Sequence, residues 1–121
     1  MAIQRFEDII AWKKAQDLAV YIYGIFGRSS DFGFRDQICR ASVSVSNNIA
    51  EGFDRSSDAD FSRFLYIALG SCSEVKLMVY LAEKLNYVTN NEKVEILNRG
   101  DEISKIIRGL LKSLMAKKHK A

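Results

Sequence analysis

The sequence predicts an all-α protein in which four helices pack as a bundle. The chain has no proline among its 121 residues, 48% of its residues are hydrophobic, and four segments repeat apolar residues at steps of three and four. The absence of proline removes the commonest interruption of a helix. A chain of this length suits one core. We therefore expect a single domain over residues 1–121.

The first helix is predicted over residues 6–26. Glu7 and Asp8 place negative charge in its first turn, where the positive end of the helix dipole lies, and Gly27 follows its end. Its apolar side alternates steps of three and four, as a bundle helix requires. The residues on that side are Trp12, Ala15, Ala19, Ile22 and Phe26, widened by Leu18 and Ile25.

The second helix is predicted over residues 34–52 and is expected to end at Gly52, a residue suited to the left-handed conformation that follows many helices. It has one apolar row and a second row of smaller residues. Together the rows cover roughly 200° of the helix circumference, so we expect more than one neighbour. The first row is Ile38, Ala41, Val45 and Ile49, and the second is Cys39, Val43, Ser46 and Ala50.

The third helix is predicted over residues 57–85. Ser57 and Asp60 resemble a capping pair at its start, and Asn86 is suited to end it. One regular row faces the core, and a second apolar arc predicts contact with another copy of the chain. The first row is Phe61, Leu65, Ala68, Cys72, Val75, Val79 and Ala82, and the second is Tyr66, Leu69, Leu77 and Tyr80.

The fourth helix is predicted over residues 91–115, after a capping box formed by Thr89 and Glu92. Its core row is Ile96, Ile103, Ile106, Leu110 and Leu114. Residues 116–121 lack periodic apolar residues and are expected to fray. Short connections between long helices favour an antiparallel, up-down-up-down topology.

Several of these segments match a known family pattern. They are residues 6–8 and 12–15, residues 37–41 and 44–52, and residues 67–71 with Glu74 and 85–87. Over nearly its full length the chain resembles the 23S rRNA-intervening-sequence protein family, also called S23. The resemblance implies a left-handed four-helix bundle assembled as a ring-shaped homopentamer, with genes often found inside ribosomal RNA intervening sequences. A related group, the accessory proteins of diversity-generating retroelements, works with a reverse transcriptase and nucleic acid.

One position departs from the family pattern. The family usually has proline where this chain has Ser46. Any kink that this proline produces in the second helix is therefore expected to be weaker or absent here.

Two sets of polar residues are candidate sites. The first is a basic set that would contact RNA phosphates, comprising Arg40, Lys105, Arg108, Lys112, Lys117, Lys118 and Lys120. The second is a possible docking face for a protein partner, comprising Gln37, Ser44, Asn47, Asn48, Glu51 and Glu74. A structural alternative stays open for each set. The basic residues would form a solvated helix face and a solubilising tail. On the second helix, Arg40 would pair with Glu74 or Glu51, and the asparagines would bond backbone groups near a helix distortion.

Charge is unevenly distributed along the chain. The formal net charge is +3, and six basic residues with no acidic residue lie between Lys105 and Ala121. This excess is well short of the strong basic stripe that makes nucleic-acid binding the default inference. The basic end of the chain nevertheless makes RNA contact a hypothesis to test.

The residues offer little for catalysis or metal binding. His119, the single histidine, lies in the predicted frayed tail, and Cys39 and Cys72 lie on apolar faces as reduced core residues. We expect no catalytic residues, no metal and no cofactor. The N-terminus lacks a signal-peptide core, and the charge-free stretch 64–73 is shorter than a membrane span, so a cytoplasmic protein without a membrane partner is expected.

The sequence thus predicts a non-enzymatic, homo-oligomeric bundle protein that binds RNA through a basic face. The alternative is an adaptor whose ligand is another protein, such as a nucleic-acid enzyme. It would contact that partner through the polar row of the second helix.

Overall fold

The computed structural model describes residues 5–6 and 9–120, with side chains through residue 116. It contains four α-helices: α1 (Ile10–Phe26), α2 (Phe32–Phe53), α3 (Asp58–Lys84) and α4 (Asn90–Lys120). The described residues include no strand. The prediction of an all-α chain with four helices is confirmed.

Each helix packs against the next one along the chain, and α1 also packs against α4, whereas the described backbones of the diagonal pairs, α1 with α3 and α2 with α4, do not approach each other closely. Contacting residues run in opposite order along neighbouring helices. Near the end of α1, the rings of Phe26 and Phe34 lie 5.6 Å apart. On the other side of α1, the Lys14 ammonium lies 2.8 Å from the Glu102 carboxylate.

One hydrophobic core draws residues from all four helices. The predicted rows of α1, α2 and α3 largely face it, but the row on α4 is displaced by one residue near its end. Ile107 and Leu111 are buried there, whereas Ile106, Leu110 and Leu114 pack only at its margin. The predicted row skipped Gly100 and Ser104, which are also buried and allow α4 to approach α3.

The predicted start signals of α3 and α4 and the predicted end signal of α3 are confirmed. The Ser57 hydroxyl accepts from the Asp60 backbone N–H at 3.1 Å. Thr89 and Glu92 form a full capping box, each side chain accepting the other residue's backbone N–H, at 2.9 and 3.1 Å. Asn86 adopts the left-handed conformation after α3, with a φ of 62°.

The ends of α1 and α2 differ from the prediction. α1 begins at Ile10 rather than at residue 6. Just before it, the Ile9 N–H donates to the Phe6 carbonyl, and the Phe6 ring centre lies 5.2 Å from that of Trp12. Glu7 and Asp8, predicted for its first turn, lie outside the described residues. α2 begins two residues early, at Phe32, since the Asp31 carboxylate caps it by accepting the Phe34 N–H at 3.1 Å.

The predicted role of Gly52 is wrong. None of the chain's glycines has a positive φ, and Gly52 lies inside α2, which ends one residue later. Gly52 is buried, and a Cβ added there would lie only 2.6 Å from the Phe64 Cβ of α3. Glycine is required at this position by the close approach of α3.

The fourth helix is longer than predicted. Its backbone remains helical from residue 116 through Lys120, the segment expected to fray. Lysine and alanine are strong helix formers, and no proline or glycine interrupts this segment. The predicted end at residue 115 was wrong because apolar periodicity marks packing, and a helix can continue beyond its last packed residue.

α3 carries more apolar surface than the core covers. An 18-residue window within Asp58–Lys84 has a mean hydropathy of 1.4, so by length and composition alone the helix is able to cross a membrane. One side of α3 is fully buried in the fold. On its other side, Tyr66 is 58% exposed and Leu77 is 70% exposed. The apolar composition of α3 therefore reflects one core face and one uncovered face.

We expect Gly52→Ala to lower the free energy of unfolding by about 1–3 kcal/mol, the usual cost of overpacking a core. The new methyl group would force the α2 and α3 backbones apart. Gly109→Ala is the control, since a Cβ at this exposed helical position meets nothing within 4 Å and should stabilise the helix by up to about 1 kcal/mol. Denaturant unfolding measures both, and equal effects would contradict the packing argument.

A hydrogen bond joins the segment between α1 and α2 to the segment between α3 and α4. The Tyr87 hydroxyl donates to the Asp31 carboxylate at 2.7 Å, and this bond lowers the pKa of Asp31 below its ordinary value. A lowered folded-state pKa contributes stability that is present at neutral pH and is lost as the pH falls through that pKa.

We expect Tyr87→Phe to lower the melting temperature at pH 7 and to have less effect as the pH falls below 3.8, the ordinary pKa of Asp31. The ring contact with Phe34, at 5.3 Å, remains in this variant. Tyr66→Phe removes an exposed hydroxyl as the control. A Tyr87→Phe effect that is constant from pH 7 to pH 2.5 would show that the carboxylate does not contribute.

Candidate functional site

The predicted basic set is concentrated in a row on α4. Lys105, Arg108 and Lys112 are all exposed and follow each other at steps of three and four, so they share one face of the helix. Within the described part of the chain, none of the three makes an ion pair. We refer to these three residues as the α4 cation row.

Among the residues whose side chains the structure describes, most other basic side chains form ion pairs with acidic neighbours. Lys76 lies 2.9 Å from Asp101, Lys93 lies 2.8 Å from Glu83, and the Arg99 guanidinium lies 2.8 Å from Glu95. The α4 cation row is different because the acidic residues one turn before Lys105 pair elsewhere, Asp101 with Lys76 and Glu102 with Lys14. Its positive charge is therefore available to an anionic ligand.

The other four residues of the predicted basic set lie elsewhere or have side chains outside the described residues. Lys117, Lys118 and Lys120 lie on the helical backbone of α4, but their side chains are outside the described residues, as is that of His119. Arg40 lies on α2, which is diagonal to α4, and the described backbones of these two helices do not approach each other closely. The structure therefore groups three of the seven predicted basic residues and separates Arg40 from them.

Arg40 stands between two shallow grooves on the outer side of α2. One groove, of about 490 Å³, lies toward α1 and is also lined by Tyr23 and Arg35. The other, of about 450 Å³, lies toward α3 and is also lined by Gln37 and Glu74. Arg40 is exposed and has no ion-pair partner among the described residues, so the predicted pairing with Glu74 or Glu51 is not formed.

The polar row of α2 is largely occupied by contacts within the chain. The Gln37 amide donates to the Glu74 carboxylate at 3.2 Å. The Ser44 hydroxyl accepts from the Ser71 hydroxyl and from the Asn48 amide, both at 2.9 Å. The bonds to Glu74 and Ser71 tie α2 to α3, whereas the Asn48 bond lies within α2. Both kinds of bond agree with a structural role for much of this row.

The other two residues of the predicted docking face lie toward solvent. Asn47 is exposed, and the Glu51 carboxylate lies 3.5 Å from the Arg55 guanidinium, one helical turn away. Asn47 and Arg40 therefore remain the members of the outer α2 surface that are available to a partner.

The residue that binds Ser46 is Gln16, which the sequence pattern does not indicate. The buried Ser46 hydroxyl accepts from the Gln16 amide of α1 at 3.0 Å and lies 3.2 Å from the Val43 carbonyl, to which it donates. A proline at this position would have neither bond. Gln16 carries no sequence signal because polar residues are ordinary on the outer side of a helix.

Both cysteines are buried and are free thiols. Burial raises the pKa of each thiol, and the Cys72 thiol donates to the Gly100 carbonyl at 3.3 Å. Raised pKa values keep the thiols protonated at neutral pH. Among the described residues, no group of three or more histidine, cysteine, aspartate or glutamate side chains has an arrangement that would hold a metal ion.

The sequence matches a known protein family. The sequence pattern of the 23S rRNA-intervening sequence protein family matches residues 7–109. The match covers most of the chain, so the protein belongs to this family. The family resemblance of the sequence is thereby confirmed.

A solved structure supports the same assignment. The chain is similar to a protein of unknown function from the S23 ribosomal protein family of Bacteroides thetaiotaomicron, with 28% identity and a TM-score of 0.80. The similarity covers 85% of this chain and 99% of the other. A comparison with curated proteins gives no match.

Proposed function

We propose that this protein is a cytoplasmic, non-enzymatic RNA-binding protein that contacts phosphates through the α4 cation row. One observation supports this proposal most directly. The α4 cation row presents three exposed cations on one face of the helix, and none of them pairs with an acidic residue among the described residues. Cations of this kind release counterions when they bind phosphates, which supplies most of the affinity for nucleic acid. The family's association with 23S rRNA intervening sequences supports RNA as the ligand.

We further propose that the protein is a homo-oligomer, a ring of five antiparallel, left-handed four-helix bundles. Two uncovered apolar faces support this assembly. Ile10 and Val20 on α1 are 59% and 72% exposed, and Ile67 and Leu81 on α3 are 43% and 49% exposed. Because α1 and α3 are diagonal helices, these faces lie on different sides of the protomer, as a head-to-tail ring requires.

A ring would also strengthen RNA binding. Five copies of the α4 cation row on one particle would raise avidity without raising the affinity of each row. Lys117, Lys118 and Lys120 would extend the positive charge along the same helix.

The second candidate function is a protein adaptor, and Arg40 is the observation that favours it. This guanidinium lies between two grooves, beside the exposed Asn47, and has no ion-pair partner among the described residues. The partner in this proposal is a nucleic-acid enzyme, bound without direct contact between this chain and nucleic acid.

We expect the double variant Arg108→Glu with Lys112→Glu to weaken binding to labelled ribosomal RNA by at least about tenfold, because charged contacts contribute about 1.5–3 kcal/mol each. The slope of log affinity against log salt should also become shallower by about 0.7 for each lost phosphate contact. Fluorescence anisotropy at two salt concentrations measures both quantities.

The matched control is Lys13→Glu with Arg28→Glu, which changes the net charge equally at exposed positions on and just after α1. Equal losses in the two double variants would indicate a nonspecific effect of net charge. Unchanged RNA binding in the α4 variant would exclude the α4 cation row. Loss of a captured protein partner in Asn47→Ala and Arg40→Ala would then favour the adaptor.

We expect light scattering of the purified protein to give five times the 13.7 kDa mass of one chain. Leu81→Glu should reduce the mass to that of a monomer with little loss of helix content, because an exposed substitution changes protomer stability by less than about 0.5 kcal/mol. A folded wild-type monomer at micromolar concentration would exclude the assembly.

A further inference from the structure

Exposed tyrosines on α3 occupy the flank that faces α4. Tyr66, Ser73 and Tyr80 follow one another at intervals of seven residues, so they lie on one side of the helix. Ser73 and Tyr80 line a groove of about 350 Å³ between α3 and α4, together with Asp101 of α4. Tyr66 continues this flank two helical turns before Ser73.

The contacts between α3 and α4 determine which residue of α4 lies opposite Tyr66. Cys72 contacts Ser104, and Glu83 contacts Lys93. Between these two contacts the chain advances eleven residues along α3 and goes back eleven residues along α4, so one residue of α3 corresponds to one residue of α4. The six residues from Cys72 to Tyr66 therefore lead to position 110 on α4, between Arg108 and Lys112.

The residues beside this groove have the chemistry that single-stranded RNA requires. Tyr66 is 58% exposed, and within the described part of the chain it makes no hydrogen bond or ring contact. Tyr80 is 51% exposed, with the Lys93 ammonium 5.2 Å from its ring centre. Asp101 is neutralised by Lys76, so its carboxylate adds little repulsion toward phosphates.

We propose that the groove between α3 and α4 binds single-stranded RNA, with phosphates on the α4 cation row and a base stacked on Tyr66. This inference rests on the proposed RNA-binding function and specifies its ligand. An aromatic ring stacks on a base only where that base is not already stacked within a duplex. Tyr80, about 21 Å from Tyr66 along α3, offers a second stacking position further along the strand.

The proposed RNA track leaves room for subunit contacts on α3. Ile67 follows Tyr66 and Leu81 follows Tyr80 by one residue, so both lie about 100° further around the helix, on its other flank. RNA and a second copy of the chain would thus occupy different flanks of α3.

The test compares a labelled oligouridylate of about 15 nucleotides with a duplex RNA of equal length. We expect the wild-type oligomer to prefer the single strand, and Tyr66→Leu to bind it at least about fivefold more weakly, since stacking contributes about 1–3 kcal/mol per base. The salt slope of Tyr66→Leu should match that of the wild type because its phosphate contacts remain. Tyr66→Phe, which keeps the ring, should bind within about twofold of wild type.

Tyr23→Leu is the matched control, because Tyr23 is 51% exposed on α1, away from this groove, and should not affect RNA affinity. Light scattering verifies that each variant keeps the wild-type mass. The stacking proposal is overturned if RNA binds but Tyr66→Leu equals wild type, if the duplex binds as tightly as the single strand, or if weaker binding coincides with disassembly. Absence of any RNA binding by the wild type would overturn the proposed function as well.

Discussion

The packing of α3 between α2 and α4 is the constraint on which the rest of this structure depends. On one side, the absence of a side chain at Gly52 lets the α2 backbone approach Phe64. On the other, Gly100 lets α4 approach Lys76 and the buried Cys72. α3 thus buries two flanks within its own chain, and its outer surface is the main apolar area that the fold leaves uncovered.

Polar contacts between helices fix their register. The Ser44 and Ser71 hydroxyls join α2 to α3, the Gln16 amide joins α1 to Ser46 of α2, and the Cys72 thiol joins α3 to α4. Within the described residues, no buried side-chain nitrogen or oxygen lacks a hydrogen-bond partner. A shift of one helical turn would break these bonds, and each buried group left unpaired costs about 1–3 kcal/mol. The same register sets Tyr66 level with the α4 cation row.

The fold puts the two candidate binding surfaces, the α4 cation row and the polar row of α2, on different helices. Much of the α2 polar row is bonded to α3, whereas Lys105, Arg108 and Lys112 of α4 are exposed and make no ion pair among the described residues. The cations proposed to contact RNA therefore lie on α4, and Arg40 belongs to a different surface. An assembly of several copies would present the α4 surface repeatedly while covering apolar side chains of α1 and α3.

The sequence alone determined the helical class, the number of helices and most helix boundaries, because these depend on local signals. Apolar periodicity and the capping residues Ser57, Thr89 and Asn86 act within a few residues of themselves. Only the tertiary structure decided the role of Gly52, the partner of Ser46, and the separation of Arg40 from Lys105. Those features depend on which helices become neighbours and at what register, and such contacts join residues far apart in the chain.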